Sequence, residues 1–166
     1  MTRILIGLAV FLCTLAAHAF EGTVTRVSDG DTLWIRPVTG GKPVKVRLRG
    51  IDAPEICQAG GFESKRALEA LVLGQFVRLD RDDLSDDHGR RLGRLLHGDD
   101  DIGARLVRDG YAWSYRYRRD AGPYLIEEVD ARSSRRGLFA DPQAIAPREF
   151  RKVHGPCEAP IRPAAN

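Results

Sequence analysis

The stretch Val27-Ser-Asp-Gly-Asp-Thr-Leu-Trp-Ile35 places two aspartates, Asp29 and Asp31, between two segments that have the composition of β-strands. Aspartate is a poor strand former and Asp-Gly is a turn signal, so the stretch predicts a hairpin turn. A plain hairpin needs only one such dipeptide. The second carboxylate lies where the chain returns to apolar residues, and it therefore calls for an explanation beyond the turn itself.

Strand and helix patterns extend outward from this turn. Five segments have the short, β-branched or strictly alternating pattern of strands: 21–27, 32–36, 44–49, 75–80 and 91–96. Three segments have the periodicity of amphipathic helices: 62–73, about 102–109 and about 123–135. This order predicts an α+β fold, mainly β, in which a five-stranded OB-fold barrel carries three helices.

The N-terminus has the layout of a secretory signal peptide. An early Arg3 precedes an apolar run, and Ala17-His-Ala19 matches a cleavage site. The run is shorter than the roughly 20 residues that span a bilayer, although an uncleaved anchor is the alternative. We expect a signal peptide at 1–19, one domain at 20–150 and a Pro-rich tail at 151–166. The mature protein is then periplasmic or secreted and free of the membrane, and we expect a monomer.

Charge and cysteine content narrow the possible partners less than the motifs do. The chain has 26 Lys and Arg against 23 Asp and Glu, so net charge alone predicts no partner. Local basic clusters fit either a face for a polyanion or ordinary solvated surface.

Cys13 lies in the signal peptide, which leaves Cys57 and Cys157. In an oxidising compartment these two predict a disulfide; metal ligation is the weaker alternative, because neither has a Cys or His nearby.

A divalent cation would explain the second aspartate. If the strands at 32–36 and 44–49 pair through a turn near Gly40, Asp31 lies opposite Gly50–Ile51 and beside Asp52. Two converging carboxylates repel each other unless positive charge lies between them. Ca²⁺ and Mg²⁺ prefer oxygen ligands, and no His and Cys set for zinc is present. Alternatively, the aspartates only cap turns.

The residues near Asp52 favour the interpretation that the aspartates bind a divalent cation over the interpretation that they only cap turns. Glu55 adds a third acid three residues on, and Arg47 lies on the charged face of the preceding strand. A metal and arginines can neutralise a phosphate while a carboxylate positions or deprotonates water. Arginine suits this role better than lysine, because its planar fork binds two phosphate oxygens at once. Together these residues predict phosphodiester hydrolysis.

Four motifs follow one another in the chain: Val27-Ser-Asp-Gly-Asp-Thr32, Val46-Arg-Leu-Arg-Gly-Ile-Asp-Ala-Pro-Glu55, Asp86-Asp-His-Gly-Arg90 and Leu106-Val-Arg-Asp-Gly-Tyr-Ala112. With them, the sequence resembles the staphylococcal nuclease family over about residues 20–139. The resemblance implies an OB-fold barrel with three helices. It also implies a calcium-dependent nuclease that acts on DNA and RNA and leaves 3′-phosphate ends, with Mg²⁺ the less favoured metal.

The resemblance also implies a role for each site residue. Asp31 and Asp52 match the calcium carboxylates, and Ala53, where the best-known member has threonine, matches a backbone-carbonyl ligand. Asp29 matches an acid that lies near the metal without binding it. Three residues match the catalytic set, namely Glu55 as general base or water-orienting residue, the phosphate-binding Arg47, and Arg90, which would stabilise or protonate the leaving 5′-oxygen. Asp87 and His88 depart from the basic and aromatic residues of the family type.

Substrate bases are expected to stack near residues 113–119. Tyr115, Arg116 and Tyr117 interleave aromatic rings with a cation, which suits a single strand whose bases stack while its phosphates pair with arginine. The alternative is a barrel-edge segment with half-buried rings. For the whole chain, the rival function is a non-catalytic OB-fold module that binds nucleic acid or another ligand. Such a module has no reason to keep the two metal carboxylates, both arginines and Glu55.

Overall fold

A computed structural model describes residues 20–86, 88–118, 120–155 and 157, without the side chains of 81–84. The predicted signal peptide and most of the predicted tail lie outside these residues, and so does Asp87. No helix within the described ranges is both long and apolar enough to cross a membrane.

The β-strands form a closed five-stranded barrel, as the sequence predicts. Its strands are β1 (Phe20–Val27), β2 (Thr32–Pro37), β3 (Val44–Leu48), β5 (Phe76–Ser85) and β6 (Arg91–His97). Short strands also occur, namely β4 (Ile51–Asp52), β7 (Asp100–Asp101) and β8 (Trp113–Ser114). Neighbours β3-β2-β1-β5-β6 pair antiparallel, and a parallel pairing of β3 with β6 closes the barrel. This is the OB-fold arrangement, mainly β with added helices.

Within the described part of the chain, four α-helices surround the barrel where the sequence predicts three. They are α1 (Gly61–Val72), α2 (Ile102–Arg108), α3 (Leu125–Ser133) and α4 (Pro147–His154), with a 3-10 helix at Gly137–Ala140. The extra helix α4 begins with a proline and ends with basic residues, both favourable at those positions. The sequence did not predict α4, because the Pro-rich composition of this segment is typical of a loop. The predicted start of the tail at residue 151 falls inside α4.

The core fills the barrel from alternating strand positions and from one face of α1. Leu33, Ile35, Val46 and Leu68 are fully buried, as expected when every second strand residue and one helical stripe point inward. A smaller cluster, in which Trp113 and Phe139 meet edge to face, packs α3 and the 3-10 helix beside the barrel.

The register of the β2–β3 hairpin differs from the predicted one. Thr32 pairs with Arg47, so Asp31 lies opposite Leu48, whose N–H donates to the Asp31 carbonyl at 2.8 Å, and not opposite Gly50–Ile51. The turn is centred slightly earlier than Gly40, which shifts the pairing. Gly50, with φ +85°, then turns the chain. Asp52 therefore returns to the same barrel end as Asp31, although not by direct pairing.

The structure joins Cys57 to Cys157 in the predicted disulfide, with the two Cα atoms 5.8 Å apart. The bond links the loop before α1 to the residues just after α4. Chain segments about one hundred positions apart therefore meet beside the barrel end that carries Asp52.

Candidate active site

The Asp-Gly-Asp turn places Asp31 at the mouth of the barrel. Asp29 Oδ1 accepts a hydrogen bond from the Asp31 N–H at 3.1 Å and so holds the turn closed. Gly30 packs against Ala53 and Ser64 so tightly that a Cβ would lie 2.7 Å from each of their Cβ atoms. A side chain at position 30 would push the turn outward, so glycine lets both aspartates approach the site.

Arg47 brings Asp31 and Asp52 together. Its Nη2 lies 3.0 Å from Asp31 Oδ2 and 3.3 Å from Asp52 Oδ1, while Nη1 donates to Asp31 Oδ1 at 3.1 Å. Both aspartates are almost fully buried. The two predicted metal carboxylates therefore converge on one guanidinium.

The predicted backbone ligand Ala53 lies beside these carboxylates. Its N–H donates to Asp31 Oδ2 at 3.3 Å, and Thr32 Oγ1 donates to Asp31 Oδ1 at 2.9 Å. Asp31 thus receives hydrogen bonds from both sides in addition to Arg47. These contacts fix the orientation of its carboxylate.

Glu55 is held by the loop that leads into α1. Gln58 accepts from the Glu55 N–H at 3.3 Å through its side chain and donates its own N–H to the Glu55 carbonyl at 2.8 Å. Gly61, the first residue of α1, packs directly on that carbonyl and leaves no room for a Cβ. Gln58 Nε2 also donates to the Ile145 carbonyl at 2.7 Å, which ties this loop to the segment before α4.

Arg151, which sequence analysis did not single out, completes the cluster from α4. Its Nη1 and Nη2 bind Asp52 Oδ1 and Oδ2 at 3.2 and 3.1 Å, and Nη1 also donates to Glu55 Oε1 at 2.7 Å. The only sequence signal was the Cys57–Cys157 pair. One of these cysteines follows Glu55 closely and the other follows Arg151, so their disulfide implies that the two segments are neighbours.

The cluster contains more carboxylates than guanidiniums, and the pKa values of its members reflect this excess of negative charge. Burial, with added repulsion from Asp31, raises the pKa of Asp29 to about 6. Burial also raises the pKa of Asp52 despite its bonds to Arg151. Burial alone would lower the pKa of Arg47, but the adjacent carboxylates of Asp31 and Asp52 raise it above its ordinary value. Further positive charge would therefore stabilise the ionised site.

Arg90 is held in the β5–β6 loop by Asp86. Asp86 accepts from Arg90 Nε at 2.5 Å and from the Arg90 backbone N–H at 2.9 Å. Although burial opposes the effect, these bonds lower the pKa of Asp86. The terminal nitrogens of Arg90 make no hydrogen bond to any residue that the structure describes. They are therefore available to a ligand in the cleft.

These residues line one open cleft of about 1260 Å³ at the barrel end. The predicted site residues in its wall are Asp29, Asp31, Arg47, Ala53, Glu55, Arg90, Tyr115 and Tyr117, with His88 and Arg151 beside them. Asp52 is not in the wall itself but is bound by Arg47 and Arg151, which are. The two tyrosine side chains are exposed enough to receive a stacked base.

Arg116 does not join the cleft. Its Nη2 donates at 2.8 Å to Oε1 of Glu128, a carboxylate buried in α3. The buried charge needs a partner and draws the guanidinium away from the groove. The predicted contact of Arg116 with substrate is therefore not supported by its position.

The oxygen donors at the cleft fit a hard divalent cation better than a transition metal. Asp31 and Asp52 offer carboxylates to one point, and two guanidiniums only partly neutralise the acids around them. Within 20–86, 88–118, 120–155 and 157, no group of three or more His, Cys, Asp or Glu side chains has the arrangement of a complete metal site. A cation held here would therefore take few ligands from the protein and most of them from water or from a bound ligand.

Comparison with known proteins agrees with this geometry. A family model described as staphylococcal nuclease homologue matches residues 45–141. The chain belongs to the staphylococcal nuclease family. This confirms the resemblance found in the sequence motifs, and family membership makes the protein a hydrolase of the nuclease type.

Relatives match over most of their length. The chain is 36% identical to "Protein ParB" of Escherichia coli over 164 residues, which cover 92% of this chain and 91% of that protein. It is 34% identical to a "Micrococcal nuclease" of Shigella flexneri, with 91% and 92% of the two chains covered. It is 38% identical to an "Uncharacterized endonuclease" of Haemophilus influenzae, with 78% and 71% covered.

Proposed function

We propose that the protein is an exported, calcium-dependent nuclease that hydrolyses phosphodiester bonds in DNA and RNA and leaves 3′-phosphate ends. The observation that carries the proposal is the bridge from Arg47 to both Asp31 and Asp52, in a cleft that Glu55 and Arg90 also line. Similarity to proteins named as nucleases supports the reaction class.

In this proposal each side chain has one task. Asp31, Asp52 and the Ala53 carbonyl would hold the cation, which would supply positive charge next to the scissile phosphate. Arg47 and the free end of Arg90 bind phosphate oxygens. Glu55 accepts the proton of the attacking water, and Arg90 stabilises or protonates the leaving 5′-oxygen.

Calcium suits the site better than magnesium. Ca²⁺ tolerates irregular coordination and exchanges water readily, whereas Mg²⁺ demands a regular octahedron. A site with only two side-chain carboxylates, completed by water, meets the first demand more easily. With so few protein ligands, the expected dissociation constant is on the order of 10⁻⁴–10⁻³ M, as in extracellular calcium modules.

The cleft suits a strand whose bases are unpaired. Tyr115 and Tyr117 lie in its wall and are 42% and 61% exposed, so each residue is accessible to a stacked base. A paired duplex does not present the faces of its bases. We therefore propose that single strands and breathing duplex ends are cut faster than stable duplex, whether DNA or RNA.

Export is proposed from two independent features. Residues 1–19 have the signal-peptide pattern, and the disulfide requires an oxidising compartment to form. We propose a periplasmic or secreted monomer with no membrane attachment after cleavage.

The test incubates the purified mature protein with plasmid, denatured DNA and RNA in Ca²⁺, in Mg²⁺, and in Ca²⁺ with excess EGTA. Degradation in Ca²⁺ that EGTA abolishes is the expected result, with denatured strands lost first. Product ends that a polymerase extends only after phosphatase treatment identify 3′-phosphates. Cleavage that persists in chelator contradicts the metal, and binding without cleavage under all conditions favours the non-catalytic module.

A further inference from the structure

We infer that Arg151 is a positioning residue of the active site, placed there by the disulfide-tethered helix α4. It orients the Glu55 carboxylate relative to Asp52 and supplies part of the positive charge that admits an anionic substrate. The inference rests on the proposed nuclease function and adds to it a residue that lies beyond the matched region, which ends at residue 141.

The contacts of Arg151 determine which oxygen of Glu55 is available. Its guanidinium binds both carboxylate oxygens of Asp52 and uses Nη1 to hold Glu55 Oε1 at 2.7 Å. Glu55 Oε2 makes no hydrogen bond within the described part of the chain, so one oxygen is held while the other faces water in the cleft. A base fixed in this way has less orientational freedom to lose in the reaction.

The charges of the cluster indicate that Arg151 favours the binding of an anionic substrate. The innermost groups are the four carboxylates of Asp29, Asp31, Asp52 and Glu55 and the two guanidiniums of Arg47 and Arg151. With all six groups ionised, a bound divalent cation makes the cluster neutral. Without Arg151 the same cluster keeps a negative charge next to the incoming phosphodiester and repels it.

Helix α4 is held mainly by tethers to the segment that carries Glu55. Among its residues only Pro147 is buried, and Val153 is 78% exposed. Before the helix, the Ile145 carbonyl accepts from Gln58, and after it Cys157 is bonded to Cys57. Because the packing of α4 is slight, these tethers are what keep Arg151 at the site.

The first experiment compares Arg151→Ala and Arg151→Lys with Lys152→Ala in the disulfide-bonded mature protein. Lys152 is the matched control, since it is the next cation on α4 and its one ion-pair partner among the described residues is Glu149 of the same helix. We expect Arg151→Ala to lower kcat about 10- to 100-fold, the loss typical of a misplaced catalytic group, and to raise KM. We expect Arg151→Lys to restore KM, because lysine returns the positive charge. It should not restore kcat, because lysine lacks the planar guanidinium that holds Asp52 and Glu55 together.

A binding measurement provides a readout that does not depend on turnover. A short single-stranded phosphorothioate oligonucleotide is titrated into each variant in Ca²⁺. Weaker binding by Arg151→Ala, with binding by Lys152→Ala unchanged, supports the inference. Stronger binding, or cleavage at or above the parental rate, overturns it and indicates instead that Arg151 competes with the metal for Asp52. Equal losses in both alanine variants overturn it as well, because they indicate a general effect of α4.

The two proposals fail in different ways. If the parental protein cleaves nothing in Ca²⁺, the nuclease function fails, and the oligonucleotide titration still decides the role of Arg151 in binding. If the parental protein cleaves and Arg151→Ala does so equally well, only the role of Arg151 fails.

The tether is tested by replacing Cys57 and Cys157 together with serine. We expect a fall in kcat similar to that of Arg151→Ala, and little further loss when the changes are combined, because both act on one contact. Thermal unfolding sets an assay temperature at which each variant is folded. A folded serine variant with parental kcat shows that the disulfide does not position Arg151.

Discussion

Arg47 holds Asp31 through both of its terminal nitrogens, with Nη1–Oδ1 and Nη2–Oδ2 separations of 3.1 and 3.0 Å. This paired geometry is the strong form of the arginine–carboxylate contact. The same Nη2 also reaches Asp52, so the guanidinium partly offsets the repulsion between two buried acids. In the proposed reaction the same planar fork would bind phosphate oxygens of the substrate.

Replacing Arg47 with alanine or lysine is expected to lower kcat/KM about 100- to 1000-fold, the loss typical of removing one charge-stabilising donor. Lysine does not restore activity, because a single ammonium lacks the planar fork. Rates are measured on denatured DNA in Ca²⁺, with Arg36→Ala, an exposed arginine of β2, as the control. A fully active Arg47→Lys variant would contradict the assigned role.

Replacing Asp52 with asparagine is expected to weaken Ca²⁺ binding at least about tenfold, because one carboxylate is lost while Arg47 and Arg151 remain. Calorimetric titration without substrate measures the affinity directly. Asp80→Asn, which changes a half-buried acid of β5 lining the same cleft, is the control for loss of negative charge. Equal affinities of the parental and Asp52→Asn proteins would remove Asp52 from the metal site.

Local patterns predicted the barrel because strand alternation and helical periodicity are properties of neighbouring residues. Val44, Val46 and Leu48 alternate with basic residues, and the structure turns the apolar side inward. The predicted hairpin register was wrong, because it depends on where the turn between β2 and β3 is centred. Composition alone indicates a loop there but not its geometry.

The parts of the site that the sequence missed are long-range charge pairs. Nothing near Arg151 marks it as a partner of Asp52 and Glu55, since the contact depends on how α4 returns to the barrel. For Arg116 the sequence predicted a contact that the structure does not show. Its aromatic neighbours favoured binding of substrate, but its guanidinium binds the buried Glu128 instead. Such choices depend on burial, which a single sequence does not reveal.

Glu128 is expected to be a major contributor to stability. Its carboxylate is 1% exposed and accepts from the Ser114 N–H at 2.9 Å and from Arg116 and Arg132 at 2.8 Å each. Glu128→Ala leaves these donors without their acceptor and should lower the free energy of unfolding by about 2–4 kcal/mol. Urea denaturation measures the loss, and the neighbouring Glu127→Ala serves as control. A loss in Glu128→Ala no larger than in the control would mean that the donors find other partners.

Tyr124 is expected to make the protein sensitive to alkali. Its hydroxyl donates to Asp101 Oδ2 at 3.0 Å, and burial together with the Asp101 charge raises the Tyr124 pKa far above its ordinary value. The unfolded chain ionises this group near pH 10, whereas the folded protein keeps it protonated. The folded state then binds more protons, so the free energy of unfolding falls as pH rises above 10, with a slope that approaches about 1.4 kcal/mol per pH unit.

Tyr124→Phe removes this titration. We expect it to lower stability by about 1 kcal/mol at pH 7, where the hydrogen bond is lost, and to flatten the decline above pH 10. Urea denaturation in chelator at pH 7 to 11 measures both effects. Tyr117→Phe, which changes an exposed ring, should keep the parental slope. An unchanged slope in Tyr124→Phe would mean that the alkaline loss arises from other groups, because this variant has no phenol at position 124 to ionise on unfolding.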